Sequence, residues 1–161
     1  MKLRELKPDD NKLIEYWLTP EMMEKINTGS PDTSKPFMLA MITTDDDTPV
    51  GILELSNIDH ENKNAHFGIM IADSSKGSRF FLRATKSFLN RCYKDLDLHK
   101  IYFRVPIDNI HALKVNRFFG FVEEGVDRES VYINECFKDI VVMSMTRNEF
   151  ERKCQKWDYK R

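Results

Sequence analysis

The stretch IADSSKGSRFF, residues 71–81, stands between an alternating apolar run and a segment of helical period. A helix N-terminus offers unpaired backbone N–H groups and the positive end of the helix dipole, which together suit phosphate. Glycines in such a turn let the backbone approach the anion closely. Here the turn holds one, Gly77, and Lys76 and Arg79 stand beside it, with Phe80 and Phe81 following. Two cationic side chains can hold phosphate by charge-assisted hydrogen bonds. The opposite outcome is that Arg79 and Phe81 fill the groove and exclude the anion. Just upstream, AHFGIMI puts His66, Gly68 and Met70 on one strand face. An imidazole, with an ordinary pKa of about 6.5, can take a proton from an ammonium directly or through water. Glu54, in the neighbouring run VGILELS, is a second candidate base. A hydrogen-bonded structural histidine and a solvated strand-face carboxylate are the plain readings of the same two residues.

These groups need strands and helices to hold them. KLREL alternates as a short strand, and PDDNKLIEYWL opens a helix with Leu13, Ile14, Trp17 and Leu18 as its apolar positions. TPEMMEKI restarts a second short helix, and NTGSPDTSKP is turn chemistry. FMLAMI, VGILELS and AHFGIMIA, separated by short polar turns, predict an antiparallel meander. The period then changes: Phe81, Ala84, Phe88 and Cys92 share one helical face, with Leu82, Leu89 and Tyr93 beside it. KIYFRV returns to strand. DNIHALKVNRFF reads as a helix capped by Asp108 or Asn109 and ended by Gly120, and FVEEGV and KDIVVMSM close the list. The order predicts a mixed α/β sheet, antiparallel at first, with a crossover helix in the second half.

A chain of 161 residues suits one domain spanning 1–161. The formal net charge of -1 gives no basic field for nucleic acid or an anionic membrane. The basic stretch ERKCQKWDYKR reads as a solvated helix end or tail. No run approaches membrane-spanning length, MKLRELKPDD has no apolar leader, and Cys92, Cys136 and Cys154 form no paired framework, so a cytoplasmic protein with reduced thiols is expected. The four histidines show no ligand spacing, and no metal is expected.

The segment IMIADSSKGSRFFLRATKSFLNRCYKDLDLHKIYFRVPIDNIHALKVNRFFGFVEEG resembles the GNAT acyl-CoA-dependent N-acetyltransferases, in the branch that acts on spermidine, ribosomal proteins and amino sugars. The resemblance covers roughly residues 37–145, including the hairpin VGILELSNIDHENKNAHFGIMIA; the first 36 residues fit loosely. It implies the GNAT fold: a mostly antiparallel sheet with flanking helices, in which two central parallel strands, FGIMIA and KIYFRV, are splayed by a bulge. It implies acetyl-CoA as co-substrate, with its pantetheine arm in that slot on the backbone of Ile69, Met70 and Ile71.

The family loop reads Gln/Arg-x-x-Gly-x-Gly/Ala. Lys76 takes its first position, Arg79 the first glycine and Phe81 the last, so Lys76, Gly77, Ser78, Arg79, Phe80 and Phe81 are the implied pyrophosphate contacts. Asn109 matches an asparagine that contacts the CoA chain. His66 stands where relatives often have a glutamate, and Asn116 where many have a tyrosine that protonates the departing thiolate. An amide can donate a hydrogen bond to sulfur but cannot act as the acid. Tyr102 and Tyr132 are substitutes to consider. Trp17 matches an aromatic position of the acceptor pocket.

Two functions follow from the resemblance. One is transfer of acetyl to a primary amine: a polyamine, an amino sugar or a peptide N-terminus. The other, motivated by the joint loss of the loop glycines and the tyrosine, is a GNAT-fold binding or regulatory protein without turnover. A homodimer is compatible with either.

Overall fold

The computed structural model describes residues 2–17, 38–71 and 78–158, without the side chains of 78–82, 157 and 158. The described elements are β1 (Lys2–Arg4), α1 (Asp10–Trp17), β2 (Met38–Thr43), β3 (Pro49–Asp59), β4 (Asn64–Ile71), α2 (Ser78–Lys94), β5 (Lys100–Pro106), α3 (Ile110–Phe119), β6 (Val122–Ile133), β7 (Cys136–Thr146) and α4 (Arg147–Asp158). The second helix expected at TPEMMEKI lies outside the described residues.

The strands form one seven-stranded sheet in the order β1-β2-β3-β4-β5-β7-β6. The expected meander β2-β3-β4 is antiparallel. β4 and β5 are parallel neighbours, and they pair only at Asn64↔Lys100, Ala65↔Ile101 and His66↔Tyr102. Beyond these, β4 runs on to Ile71 and β5 to Pro106 without pairing to each other. The splay therefore has the expected location. Its expected cause differs. The register of β3 with β4 is unbroken from Gly51↔Ile71 to Ser56↔His66, and the irregularity falls between Ser56 and Asp59 on β3, where Asn57 has a φ of 50°. The bulge sits below the opening rather than within it.

One face of the sheet carries the main core. α2 lays Ala84, Phe88, Leu89, Cys92 and Tyr93 on it, α3 adds Leu113 and Phe119, and α4 adds Phe150. The amphipathic period read from residues 81–93 accounts for the α2 contribution. Phe67 and Phe103, the first residues past the last parallel pair, meet edge to face at 5.0 Å, and Phe67 also stacks on Phe88 at 5.5 Å. Aromatic pairs in these geometries contribute about 0.5–1.5 kcal/mol beyond burial. The Tyr93 hydroxyl donates to the Met145 carbonyl at 2.6 Å and ties α2 to β7.

The second half of the chain holds more structure than its pattern suggests. β6 and β7 form a long hairpin whose register shifts at Glu123/Gly125 and Asp127/Val131. The charged run DRES, which lacks strand alternation, is absorbed by these bulges. Residues 151–158 of the C-terminal basic stretch belong to α4, the helix-end reading of the two, and Glu149 starts that helix by accepting from the Thr146 N–H at 2.8 Å.

On the opposite face, α1 covers a smaller cluster in which Ile14 and Trp17 pack on Met41, Ile52 and Met70. α1 is anchored at its first residue. Arg4 donates to both oxygens of Asp10, at 2.6 and 2.9 Å, and the Lys7 N–H adds a third bond at 2.7 Å. The Arg4 hydrogen bond first, then the Lys7 N–H, hold the Asp10 carboxyl at about 2 against the cost of burial. Because the folded pKa lies below the unfolded one, this contribution is full above about pH 4 and is lost as pH falls through about 2. Asp10→Asn should lower unfolding stability at pH 7 by about 2 kcal/mol, in the range for hydrogen bonds to charged groups. It should also flatten part of the decline in stability between pH 4 and 2, as read by urea melts across that window.

Candidate active site

The parallel ladder and the splay define a site with two sides. β4 keeps β3 on its outer edge and β5 keeps β7, so only their facing edges are free beyond His66 and Tyr102. Unpaired backbone N–H and C=O groups there can accept an extended polar chain as a further ladder partner. Among the residues expected there, Ile69 and Ile71 lean on the main core and Met70 is buried in the α1 cluster, which fixes the strand edge. Gly51, paired with Ile71, makes this edge fit: a Cβ there would lie 2.5 Å from the Met70 carbonyl oxygen.

α2 starts at Ser78, after the end of β4 at Ile71. Lys76 and Gly77 lie outside the described residues, as do the side chains of Ser78, Arg79, Phe80 and Phe81. The backbone of Ser78–Phe81 forms the first turn of α2, and that turn carries no acidic residue. Beyond β5, the Asn109 side chain accepts from the Ala112 N–H at 3.1 Å and caps α3, and Gly120 in the left-handed region ends that helix at φ 100°. Of the two caps read from DNIHALKV, Asn109 is the one formed. Asn116 is buried on the sheet side of α3 between Leu113 and Phe119.

On the α1 face, strand alternation brings together Glu54 and Ser56 of β3, His66 and Gly68 of β4, and Tyr102 and Arg104 of β5. Ser56 is buried, and its Oγ lies 3.2 Å from His66 Nδ1. The Tyr102 ring meets the imidazole edge-on at 5.6 Å. Burial, and then the nearby Arg104 guanidinium, bring the His66 pKa down to about 4. Glu54 lies over Gly68, where a Cβ would sit 3.5 Å from its Oε2. Other charges on this face are engaged: Arg104 donates to Asp127 and, at 2.8 Å, to Ser130, while Glu124 accepts from Lys100 at 2.7 Å and from Ser144 at 2.8 Å.

His66 and Glu54 are thus neighbours, and Trp17 packs on the same face. Asn116 approaches the sheet from the opposite side, and Asn109 stands at the end of β5. Of the substitute acids, Tyr102 is beside His66, whereas Tyr132 is 62% exposed and packs on Phe137 near the turn of the β6–β7 hairpin. Ser56 is the residue the sequence reading passed over. The period of VGILELS could have found it, since Ile52, Glu54 and Ser56 form the polar-going face of an otherwise apolar strand. No group of three or more metal-ligating side chains occurs among the described residues. No helix there is long and apolar enough to cross a membrane.

A splayed parallel pair, a helix N-terminus after one strand and a capped helix after the other are the features of an acyl-CoA transferase fold, and the chain belongs to that family. The model of the acetyltransferase (GNAT) domain matches residues 1–122. The spermidine N(1)-acetyltransferase of Vibrio cholerae is 32% identical over 101 residues, covering 63% of this chain and 58% of its own length. The putative ribosomal N-acetyltransferase YdaF of Bacillus subtilis is 28% identical over 101 residues, covering 63% and 55%. These alignments thus span little more than half of each relative. The crystal structure of the Vibrio cholerae spermidine N-acetyltransferase with CoA and spermine superposes with a TM-score of 0.83 at 24% identity, covering 93% of this chain and 97% of that one.

Gly51→Ala tests the strand edge. The added methyl meets backbone rather than a flexible side chain, so it should destabilise by about 1–3 kcal/mol and displace β4 at Met70. Urea melts and the amide shifts of residues 69–71 report the two effects; a neutral substitution would show that the strands separate there without cost.

Proposed function

We propose that the chain is an N-acetyltransferase that moves acetyl from acetyl-CoA to a primary amine. The observation that carries this reading is the opening of β4 from β5 after His66↔Tyr102, with α2 starting beyond one strand and Asn109-capped α3 beyond the other. The residues present fit the co-substrate. The free edges of β4 and β5 suit the amide-bearing pantetheine arm, the backbone of the first turn of α2 suits the pyrophosphate, with Lys76 and Arg79 close by in sequence, and Asn109 stands beyond the end of β5. Backbone N–H groups of Ile69–Ile71 would polarise the thioester carbonyl.

The amine approaches from the α1 face. A carboxylate or imidazole on β3 and β4 takes the ammonium proton, the nitrogen lone pair attacks the thioester carbon, and the C–S bond breaks with its electron pair leaving on sulfur. Thiols have a pKa of about 8.5, so a thiolate can leave unprotonated. Asn116, on the other side of the sheet, offers it at most a hydrogen bond. The reaction is therefore slow on its leaving-group side rather than blocked.

Acetyl-CoA at about 100 times its dissociation constant should stabilise the fold by about 2.7 kcal/mol. Arg79→Ala should weaken binding and reduce its salt dependence. No calorimetric binding at millimolar acetyl-CoA would replace the transferase reading with that of a GNAT-fold binding protein. Asn116→Tyr restores an acid at the position and should raise turnover by about tenfold or more within the general-acid range, with little change in acetyl-CoA affinity. The pocket around Asn116 is closed, so an unchanged Tm is the control for this larger side chain.

A further inference from the structure

Ser56 and His66 decide between two chemical roles. Ser56 is 1% exposed, and His66 Nδ1 is the hydrogen-bond partner of its hydroxyl among the described residues. If Nδ1 carried a proton and donated it to Ser56, the serine O–H would itself be a buried donor with nothing to meet. Such a group costs about 1–3 kcal/mol. If Ser56 donates to Nδ1, both groups are satisfied and the remaining ring proton resides on Nε2. A nitrogen that already bears a proton cannot accept one. Nε2 is the ring nitrogen that does not meet Ser56, and it belongs to a residue of the last parallel pair before the strands part.

Resting on the transferase reading, we infer that His66 is a neutral hydrogen-bond donor to the acyl acceptor, that Ser56 is its positioning residue, and that Glu54 is the group that receives the amine's proton. Glu54 is the suited acceptor because it has no hydrogen-bond or ion-pair partner among the described residues, whereas Asp127 and Glu124 are bound to Arg104 and Lys100. It is one diagonal step from His66 across the β3–β4 pair, level with Gly68 and hence with the mouth of the splay. The low His66 pKa agrees: the charged groups that face it are Arg104 and, diagonally, Glu54, with the hydroxyls of Ser56 and Tyr102, and burial leads the shift.

The assignment selects a substrate class. An ammonium seated on Glu54 must carry, within a few bonds, an oxygen that can accept from Nε2–H. A peptide N-terminus has its first carbonyl there, and an amino sugar has a hydroxyl. A protonated polyamine presents only N–H donors and methylenes, so it leaves the His66 donor unpaired. Sites that bind an oxygen or amide in this way reject partners lacking it. The acceptor is accordingly an amine with a neighbouring oxygen.

The first measurement needs no activity. Long-range nitrogen–proton NMR of the imidazole in the full chain should show Nε2–H and a bare Nδ1 from pH 5 to 8, and Ser56→Ala should mix the tautomers. A proton on Nδ1, or titration near the ordinary value of about 6.5, overturns the donor role. The second compares spermidine, a short peptide with a free N-terminus and glucosamine as acceptors. The oxygen-bearing amines should have a kcat/KM at least about tenfold above spermidine. His66→Leu should lower their kcat/KM by about tenfold to a hundredfold, as for loss of one well-placed hydrogen bond to substrate, and His66→Gln should recover most of it. Glu54→Gln should lower kcat for the same amines by about 10²–10⁴, as for loss of a general base, with acetyl-CoA affinity kept. Preference for spermidine, or a Glu54→Gln variant that keeps its kcat, overturns the assignment. No turnover with any amine, in protein that binds acetyl-CoA, overturns the transferase reading and the acceptor class with it, and the tautomer then decides the donor role alone.

Discussion

A parallel ladder that stops after His66↔Tyr102 is the constraint on which the rest of the molecule depends. Strands that part leave backbone groups without partners, and such groups are costly unless water or a ligand meets them. The fold holds the strands apart by giving each a full ladder on its outer edge, β3 for β4 and β7 for β5. Phe67 and Phe103 stand side by side at the opening, and their rings fill the core face below it. The slot is therefore held open by the packing around it and needs no strain in β4 itself.

The two faces of the sheet divide the chemistry. The main-core face carries α2, α3 and α4, so it supplies the helix N-terminus of α2 and the buried Asn116. On the other face the described residues place α1 over Met41, Ile52 and Met70, and the strand side chains Glu54, Ser56, His66, Tyr102 and Arg104 lie beside it. The ion pairs on the α1 face, Lys100 with Glu124 and Arg104 with Asp127, neutralise most of its charge. That leaves hydrogen-bond direction, more than net charge, to discriminate among acceptors.

Much of this was legible in the chain. The change of period at residues 79–94, the alternation of KIYFRV and the Asn109 and Gly120 boundaries report on local backbone geometry, and local geometry obeys local pattern. The face shared by His66, Gly68 and Met70 follows from alternation alone. The β6–β7 hairpin was underestimated because its bulges break the alternation on which a strand is recognised, and α4 was left open between a helix end and a tail because a charged amphipathic stretch resembles both. Which asparagine or aspartate capped α3 was undecided in the sequence, since Asp108 and Asn109 are both good caps.

By itself, the sequence determined the element types and the mostly antiparallel sheet, because these depend on residue type and on periods of a few residues, while the candidates His66, Asn109 and Asn116 came from the resemblance of the second half to the GNAT family, with Glu54 added from the neighbouring strand. Tertiary structure alone decided where β4 leaves β5, that the irregularity falls on β3 at Asn57, and that Asn116 and His66 lie on opposite sides of the sheet. It alone brought Ser56 against His66 Nδ1. Those two residues are separated by a turn and a register, and a register is set by side chains of several strands packing together. No short window of sequence contains it, so the contact between serine and histidine could be read only from the folded chain.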